Sequence, residues 1–561
     1  MTAADTNQTT AGDTPPAQAQ APTQPPAPAP GMPFRQAIPY IAASVLLALS
    51  QGLGQGFVST NIPQFAGDLG ITTTDASWLM AAYMIPRASL PLMLIKIRTQ
   101  FGLRRFAEIG IAIYVLVAFA SVWISDLRSA VVVQFLSGAA AAPLSTLAFL
   151  YMLEPLGQAW KMRLGLPMAL AFLMTMPSLA RVISPALIGD GDLTWVHLTA
   201  LGLAMISLAM VFRLPLKPVP HQKVIQPLDF LSFGLIFFGF GGFVVGFIMG
   251  PIHWWTAEPW IGVLIVVAIA ALTLAVIIEL NRKNPLLDIR WLVTPAMLHL
   301  TIALFLFRLI LSEQSAGAPR MFQVLGVTPS QMVTLFSVIC AASILGGLAC
   351  VAWIKPNREA YFHLVALILI GTGAWMDSHS TMDTRPEQFL ISQAMIAFAG
   401  MLFMPTALMA GLLAALKKGP NYLLSFVIVF LSTQSIGGVL GSGAFLSIIN
   451  WRQALHFQVL SEQFQITNGI TTAEIARRMA ELAPQISDPA ILQAQAVSLM
   501  AQDAAKQAYV MAYNDAYFLT FLVAIAGAAA LHLHLFRDWL WLRKFAPALT
   551  PTPDRKTESG Q

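Results

Sequence analysis

Charged residues are scarce in this chain of 561 residues: they make up 11% of the sequence, while hydrophobic residues make up 57%. An ordinary soluble domain has about 25% charged residues, so the composition excludes a typical water-soluble protein. Cysteine is rarer still, because only Cys340 and Cys350 are present, and both lie in one apolar segment. Two cysteines on different turns of one helix exclude a disulfide framework and a cysteine-based metal cluster.

Motifs for nucleotide hydrolysis and for enzyme chemistry are also missing. No GxxxxGK[ST] loop could hold ATP phosphates, and neither an HExxH pair nor a nucleophile elbow occurs. We therefore expect no enzyme activity, no cofactor and no metal site. The net charge of +5 and the pI near 9.2 do not indicate a nucleic-acid partner, because the position of the basic residues explains them better.

Long apolar segments are abundant. About fourteen are long enough to cross a lipid bilayer, which takes about 20 largely apolar residues. The predicted spans are 37–60, 75–97, 106–125, 129–152, 164–188, 194–212, 229–250, 260–280, 293–317, 331–354, 360–377, 387–413, 421–448 and 514–536. Because a spanning segment must satisfy its own backbone hydrogen bonds, these segments predict an all-α polytopic membrane protein.

The loops that connect successive spans are alternately acidic and basic. Turns that follow odd spans hold acids such as Asp126, Asp377 and Asp383, whereas turns that follow even spans hold bases such as Arg104 and Lys161. The positive-inside rule then predicts that both termini are cytoplasmic. In a bacterium, the membrane that borders the cytoplasm is the inner membrane, so we expect the protein there.

Three segments fall outside the predicted spans. Residues 1–36 are rich in Ala, Pro, Gln and Thr and predict a disordered cytoplasmic tail without a cleavable signal peptide; residues 537–561 form a second cytoplasmic tail. Residues 450–513 form a long periplasmic loop. Within this loop, Thr471 to Glu474 has the spacing of a capping box, and Asp488 with Pro489 starts a helix that runs on toward the last span.

An internal repeat organises the spans. The segment PQFAGDLGIT, residues 63–72, matches PRMFQVLGVT, residues 319–328, without a gap. This equates spans one and two with spans nine and ten. The chain then divides into a six-helix half at 37–213, two inserted helices at 229–280, and a second six-helix half at 293–536. A parallel repeat of this kind is typical of one class of secondary transporters.

Several local motifs carry a family resemblance. They are IPQFAGDLGI after span one, Trp78 at the start of span two, Phe101-Gly102 with Arg104-Arg105, SGAAAAPL at 137–144, TWVHL at 194–198 and QAYVMAYNDAY at 507–517. With these motifs the chain resembles the 14-span drug:proton antiporters of the major facilitator superfamily, of the EmrB/QacA type. The resemblance implies a major facilitator fold and proton-coupled export of amphipathic drugs. It also implies a periplasmic adaptor and an outer-membrane channel as partners. Residues 450–513 are the candidate contact, and a solvated cap without a partner is an equally good interpretation of this loop.

The chain departs from this family at two polar positions. The first span usually carries an Asp where this chain has Gln55 among glycines, and the usual intramembrane Arg of span four is Gln134. The resemblance therefore does not supply the proton-coupling residues. Gln55 and Gln134 are candidate substrate-binding residues because they occupy these places.

Three arginines lie well inside predicted spans, and buried charge is the default indicator of a transport path. Arg308 shares a helical stripe with Thr301, Ser312 and Ser315, which predicts a polar face toward a wet cavity. Arg181 has serines on its own face and is equally consistent with a cavity or a structural role. Arg87 could line a cavity or pair across helices.

Two acids are candidates for carrying the proton. Glu313 lies about 140° around the helix from Arg308, among apolar neighbours that favour the protonated form of a carboxyl. A bond to a neighbouring helix is an equally good interpretation. Asp515, at the outer mouth of the last span, is the second candidate and also fits a helix cap.

Three buried basic residues and few acids favour export of amphipathic drugs or of organic and aromatic acids. Two alternatives stay open: a facilitator or uptake symporter of the same fold, and a scaffold or sensor that does not transport.

Overall fold

The computed structural model describes residues 31–188, 192–217, 222–355, 358–463 and 469–545. Within these residues fourteen helices are long and apolar enough to cross a membrane, which confirms the predicted all-α fold and the number of spans. They are α1 Phe34–Thr60, α2 Thr73–Phe101, α3 Leu103–Trp123, α4 Leu127–Leu153, α5 Gln158–Leu187, α6 Thr194–Arg213, α7 Pro227–His253, α8 Pro259–Leu280, α9 Pro295–Val324, α10 Pro329–Trp353, α11 Glu359–Asp377, α12 Pro386–Lys418, α13 Pro420–Gln463 and α14 Pro489–Phe545.

Helices α1–α6 and α9–α14 form two halves with the same internal packing. In the first half α2 packs on α4, α1 on α5, and α3 on α6. The same contacts recur in the second half as α10 on α12, α9 on α13, and α11 on α14. Close approach of α2 and α4 depends on Gly138, because a Cβ there would meet the backbone of Tyr83. The two groups of six helices therefore pack in the same way, as the repeat in the sequence predicts.

The repeated sequence segment folds in the same way in both halves. Gly70 and Gly326 have φ of 61° and 79°, which glycine adopts without strain. Each ends a short helix and is followed by a threonine, Thr72 or Thr328, whose side chain hydrogen bonds at the start of the next helix. The sequence match therefore reflects a shared turn that sets the direction of α2 and α10.

The two halves meet through two equivalent interfaces. Helix α5 of the first half packs on α10 of the second, and α2 packs on α13. The repeat equates α2 with α10 and α5 with α13, so a two-fold rotation exchanges the two interfaces. This is the geometry of two similar bodies around a common axis.

Helices α7 and α8 lie between the halves in sequence and are attached to both. On one side of the bundle, the buried Asp229 of α7 forms ion pairs with Lys96 of α2 (2.7 Å) and Arg282 (2.6 Å). On the other side, Trp255 Nε1 donates to Ser447 Oγ of α13 at 2.8 Å. The inserted helices therefore cover the contact between α2 and α13.

Residues 450–513, predicted as a long loop, are largely helical. Helix α13 continues to Gln463, the short helix Gly469–Leu482 follows, and α14 begins at Pro489. We call these parts, 450–463, 469–482 and 489–513, the cap, and the side of the bundle on which they lie the cap side. The short helix is attached to α14 by an ion pair between Arg478 and Asp503 at 2.9 Å.

The helix boundaries in the cap confirm one prediction and correct another. Asp488 accepts a hydrogen bond from the backbone N–H of Ala490 at 2.8 Å, and α14 runs without a break from Pro489 into the last span, as predicted. Thr471 was expected to be a helix cap, but the short helix already begins at Gly469. Glu474 does not reach back to the helix start and pairs with Arg477 and Arg478 instead.

The ends of the described chain differ from the predicted tails. Helix α1 begins at Phe34, directly after Pro33 and inside the segment 1–36. Helix α14 continues through 537–545, where the sequence still contains the apolar run Trp-Leu-Trp-Leu at 539–542. The remaining parts of the predicted tails, 1–30 and 546–561, lie outside the described residues.

Candidate functional site

A cavity with about 520 Å³ of empty space lies between the two halves. Helices α1, α2, α4 and α5 form its wall on the first half, and α13 closes it on the second. Its polar lining residues are Gln51, Arg87, Ser145, Gln434 and Ser435; apolar lining residues include Phe149, Leu173 and Phe430. We call it the central cavity. An apolar wall with a few polar groups is typical of small-molecule sites.

The polar groups of the central cavity are only partly satisfied within the protein. Ser145 Oγ donates to Gln51 Oε1 at 3.1 Å. Gln434 is 5% exposed, and neither its amide nitrogen nor its amide oxygen has a hydrogen-bond partner among the described residues. Because a buried unpaired amide costs about 1–3 kcal/mol, a ligand that bonds to it gains affinity.

Arg87 is the charged group of the central cavity. Its Nη1 donates to Tyr83 Oη at 3.3 Å, one turn earlier on α2. Within the described ranges, no carboxylate forms an ion pair with Arg87, and the same holds for Arg181, Arg308 and Arg320. The described residues therefore do not support the suggestion that Arg87 forms an ion pair across helices, and its guanidinium contacts Tyr83 at the cavity wall.

Arg308, the arginine favoured by the sequence, lies beside the central cavity and does not line it. Its side chain packs over Gly437 and Gly438 of α13, and its Nε has no acceptor among the described residues. Gly438 follows Gln434 by one helical turn, so the guanidinium of Arg308 lies next to the face of α13 that lines the cavity.

The predicted stripe around Arg308 does not face a cavity as a whole. Ser312 is 1% exposed and packs against Gly441 of α13, with its hydroxyl donating to the Arg308 carbonyl at 3.1 Å. Thr301 is half-buried and Ser315 is exposed. The π-helical turn Glu313–Gly317 inserts an extra residue per turn, so Ser315 leaves the α-helical stripe that the sequence predicted.

The two glutamine candidates lie within the first half. Gln134 lines a second cavity, of about 540 Å³, together with Tyr83, Tyr114 and His197. Gln55 is half-buried on α1 and lines neither cavity. Neither glutamine therefore contacts the central cavity, where Gln51 and Gln434 supply the amide groups.

Glu313 and Asp377 form a buried pair of carboxyl groups near the cap-side ends of α9 and α11. Glu313 is 0% exposed and Asp377 is 1% exposed. The two carboxyl groups lie close enough to interact with each other. No protein N–H or O–H of the described residues donates to either oxygen of Glu313. Two carboxyl groups hydrogen bond only when one carries a proton, so the geometry suits one shared proton.

Neighbouring amides hold the carboxyl pair in place. Gln393 of α12 donates from Nε2 to Asp377 Oδ2 at 2.7 Å, and Gln314 donates to the carbonyl oxygen of Gln393 at 3.0 Å. The buried Tyr517 of α14 lies close enough to interact with both acids. The expectation of a lone Glu313 among apolar neighbours is wrong, because α11 brings Asp377 against it.

Asp515 occupies a different environment from Glu313. Its Oδ2 pairs with Arg452 Nε and with His456 Nε2, both at 2.6 Å. It lies in the interior of α14, so the helix-cap interpretation is wrong. The side chain is 36% exposed, and its two basic partners come from α13. This arrangement ties the two long cap helices together.

Sequence reasoning missed residues that the structure brings into these sites, such as Gln51, Gln434 and Asp377, and it did not single out Arg320. Asp377 was counted only as an acid of a turn, because the pattern gives no sign that it contacts Glu313. Gln434 lies in an apolar span, where the sequence does not show that it faces the other half. Arg320 lies in the repeated segment, and its position opposite Gln64 was a signal that could have drawn attention to it.

Two packed halves, a cavity between them and inserted helices across one interface are the features of a major facilitator fold. The human organic anion transporter MFSD10 has a similar fold, with a TM-score of 0.51, 13% identity, and coverage of 88% of this chain and 99% of that one. The proton:xylose symporter XylE also matches, with a TM-score of 0.51 and 10% identity over 87% of this chain and 95% of that one.

In sequence the chain is similar to EmrB-type resistance and export proteins. Colistin resistance protein EmrB of Acinetobacter baumannii is 22% identical over 503 residues, covering 86% of this chain and 92% of that protein. Fatty acid resistance protein FarB of Neisseria gonorrhoeae is 24% identical over 260 residues, covering 45% of this chain. Multidrug export protein EmrB of Haemophilus influenzae is 25% identical over 257 residues, covering 44% of this chain.

The names of these relatives refer to resistance and, for the Haemophilus protein, to multidrug export. The matched region spans 50% of FarB and 48% of the Haemophilus EmrB, and nearly the whole length of the Acinetobacter protein. No protein-family model matches the sequence.

Proposed function

We propose that this protein exports amphipathic organic anions and exchanges them for protons. The observation that carries this proposal is Arg87 at the wall of the central cavity, with no carboxylate partner among the described residues. A cation in an apolar cavity favours a ligand that supplies the missing negative charge. The apolar wall around it suits the hydrophobic part of such a ligand.

The relatives are consistent with amphipathic ligands of several kinds. The name of FarB refers to resistance to fatty acids, which are amphipathic acids, whereas the EmrB names refer to colistin and to multidrug export. The cavity of this chain carries an arginine and amides but no acid. Among these substrates we therefore favour the anionic class, including aromatic acids and sulfonates.

The proton would use the carboxyl pair and not the central cavity. Glu313 and Asp377 lie on α9 and α11, and α9 also carries Arg308 next to the cavity-lining face of α13. A change in the protonation of the pair would therefore act on the cavity through α9 and its packing on α13. Export would follow from rocking of the halves about the α5 to α10 and α2 to α13 interfaces.

Direction-resolved flux in proteoliposomes tests the proposal. The purified protein is given 8-anilinonaphthalene-1-sulfonate, a permanently charged aromatic anion, or ethidium, an aromatic cation, under an imposed pH gradient with the membrane potential clamped. We expect proton-driven movement of the sulfonate against the proton flow. Preference for the cation would contradict the anionic substrate class. Movement of the sulfonate in the same direction as the protons would indicate a symporter. Flux that does not respond to the pH gradient would indicate a facilitator. No flux of either compound would favour the scaffold or sensor.

We place the cap in the periplasm of a Gram-negative cell, with the chain in the inner membrane and both termini in the cytoplasm. The alternation of acidic and basic turns supports this orientation. In this arrangement the cap is the surface nearest to a periplasmic adaptor and an outer-membrane channel.

The partner proposal makes its own prediction. Replacing the helix Gly469–Leu482 by a Gly-Ser linker should abolish co-purification of a periplasmic adaptor, because the cap would lose its outermost helix. Flux in proteoliposomes should stay unchanged, since the linker leaves the start of α14 at Pro489 intact. Retained co-purification would exclude this helix as the contact, and a parallel loss of flux would show that the cap helix serves the transporter itself.

A further inference from the structure

Arg181 of the first half lies against the second half, on the cap side of the interface between α5 and α10. Its guanidinium carbon is 5.1 Å from the centroid of the Phe336 ring of α10. The next residue, Val182, packs on a hydrophobic cluster of the second half that contains Met321 and Phe336. The position of Arg181 is therefore set by contacts that cross from one half to the other.

Arg320 approaches the same place from the second half. It precedes Met321 of that cluster, its side chain is exposed, and Tyr513 of α14 lies beside it. Arg181 lies over Phe336 and Arg320 adjoins Met321, and both of these apolar residues belong to the same cluster, so the two arginines border it from opposite halves and their charges repel each other. In the part of the chain that the structure describes, neither arginine forms an ion pair with a carboxylate. Two adjacent cations without an acid leave a positive charge that the protein does not neutralise.

A buried donor without a partner lies close to Arg181. Ser184, one turn after Arg181 on α5, donates to Asn61 Oδ1 at 2.8 Å. Asn61 is 2% exposed, and its Nδ2 has no acceptor among the described residues. Since buried N–H groups are nearly always hydrogen bonded, this donor indicates that an acceptor can be accommodated on the Arg181 side of the interface.

We propose that Arg181 and Arg320 form a second anion-binding site at the cap-side end of the interface between the halves, separate from the central cavity. The site takes the carboxylate, sulfonate or phosphate group of an amphipathic molecule, with Phe336 and Tyr513 beside its apolar part. This proposal rests on the proposed function in one respect: one of the two candidate ligands is the exported anion. The other candidate is the headgroup of an anionic lipid.

Occupation of this site has a conformational consequence. One arginine comes from each half, so a bound anion replaces their mutual repulsion by two attractive contacts. The anion would therefore favour the arrangement in which α5 and α10 are in contact on the cap side. For an exported anion that has left the central cavity, the site would be the last binding point before release.

Binding of 8-anilinonaphthalene-1-sulfonate to the purified full-length protein in phosphatidylcholine nanodiscs tests the site without requiring transport. We expect two binding phases in the unmodified protein. Arg320→Gln should weaken one of them about tenfold, because a charge-assisted contact contributes about 1.5–3 kcal/mol. Arg320→Lys should restore most of the affinity, and Arg128→Gln, which removes an exposed charge at the cap-side start of α4, should leave both phases unchanged.

Two comparisons separate the possible results. If phosphatidylglycerol in the nanodisc suppresses the phase that Arg320→Gln weakens, a lipid headgroup occupies the site; if it does not, the exported anion is the occupant. Both phases intact in Arg181→Gln and Arg320→Gln would overturn the site even if transport is confirmed. Loss of the phase in a protein that transports nothing would retain the site and reject the proposed function.

Discussion

Glu313→Gln should uncouple transport from the proton gradient while leaving the exchange of substrate for substrate intact. The glutamine side chain has the shape of a protonated glutamate and can still donate to Asp377, so the packing at this buried position is preserved. It cannot release a proton. Because the described part of the chain offers no other hydrogen donor to Glu313, the shared proton is the feature that the substitution removes.

The size of this effect follows from the energy in the gradient. One pH unit is worth about 1.4 kcal/mol per proton, which at one proton per substrate sustains about a tenfold concentration ratio of the anion. With the membrane potential clamped, the ratio in the Glu313→Gln protein should fall to about one, and Asp377→Asn should behave in the same way. Counterflow of labelled against unlabelled sulfonate should remain within about twofold of the unmodified protein, since it requires no net proton movement.

Glu387→Gln is the matched control, because Glu387 is an exposed acid in the first turn of α12 on the same side of the bundle. It should retain the full gradient-driven ratio. An unchanged ratio in Glu313→Gln would remove the carboxyl pair from the coupling mechanism. Loss of both counterflow and driven transport would instead show that the pair maintains the structure.

Arg87→Gln should weaken binding of the anionic substrate in the central cavity about 10-fold to 100-fold, the equivalent of one charge-assisted contact of about 1.5–3 kcal/mol. The fold should be unaffected, because no carboxylate depends on Arg87 for neutralisation. Arg87→Lys should retain part of the affinity, since the charge remains but the planar donor group is lost.

A neutral analogue separates charge recognition from packing. N-phenyl-1-naphthylamine has the aromatic rings of the sulfonate but no negative group, and its binding should be the same in the unmodified protein and in Arg87→Gln. Arg105→Gln removes an exposed arginine at the start of α3 and should not alter either ligand. Equal binding of the anion by Arg87→Gln and the unmodified protein would exclude Arg87 as the anion contact. Loss of the neutral analogue as well would indicate a collapsed cavity.

Arg308 shows which properties of a site residue can be predicted from the sequence of a single helix. Its burial and the polar residues near it were readable from one helix, and both are present in the structure. Whether it lines the cavity depended on α13, which is more than a hundred residues away in sequence. There Gly437 and Gly438 leave space that the arginine side chain fills, so the side chain packs beside the cavity wall. Arg87 had the weaker sequence pattern but faces the cavity.

The cap shows that the ends of long helices are difficult to predict from local sequence. A polar stretch between two spans predicts a loop on composition, whereas here both neighbouring helices extend into it and are tied by the pairing of Arg452 and His456 with Asp515. The start of α14 at Pro489 was predictable, because Asp488 and Pro489 act locally. The continuation of α13 to Gln463 depends on contacts with α14, which a local pattern does not contain.

The sequence by itself determined the number of spans, the two equivalent halves and the inserted pair. These follow from apolar length and from a repeated turn, and both act within a few turns of chain. Only the tertiary structure decided which polar groups meet: Asp377 with Glu313, Arg320 with Arg181, and Gln434 with the cavity of Arg87. These pairs join helices that are distant in sequence, and their contacts depend on how helices rotate and pack against one another.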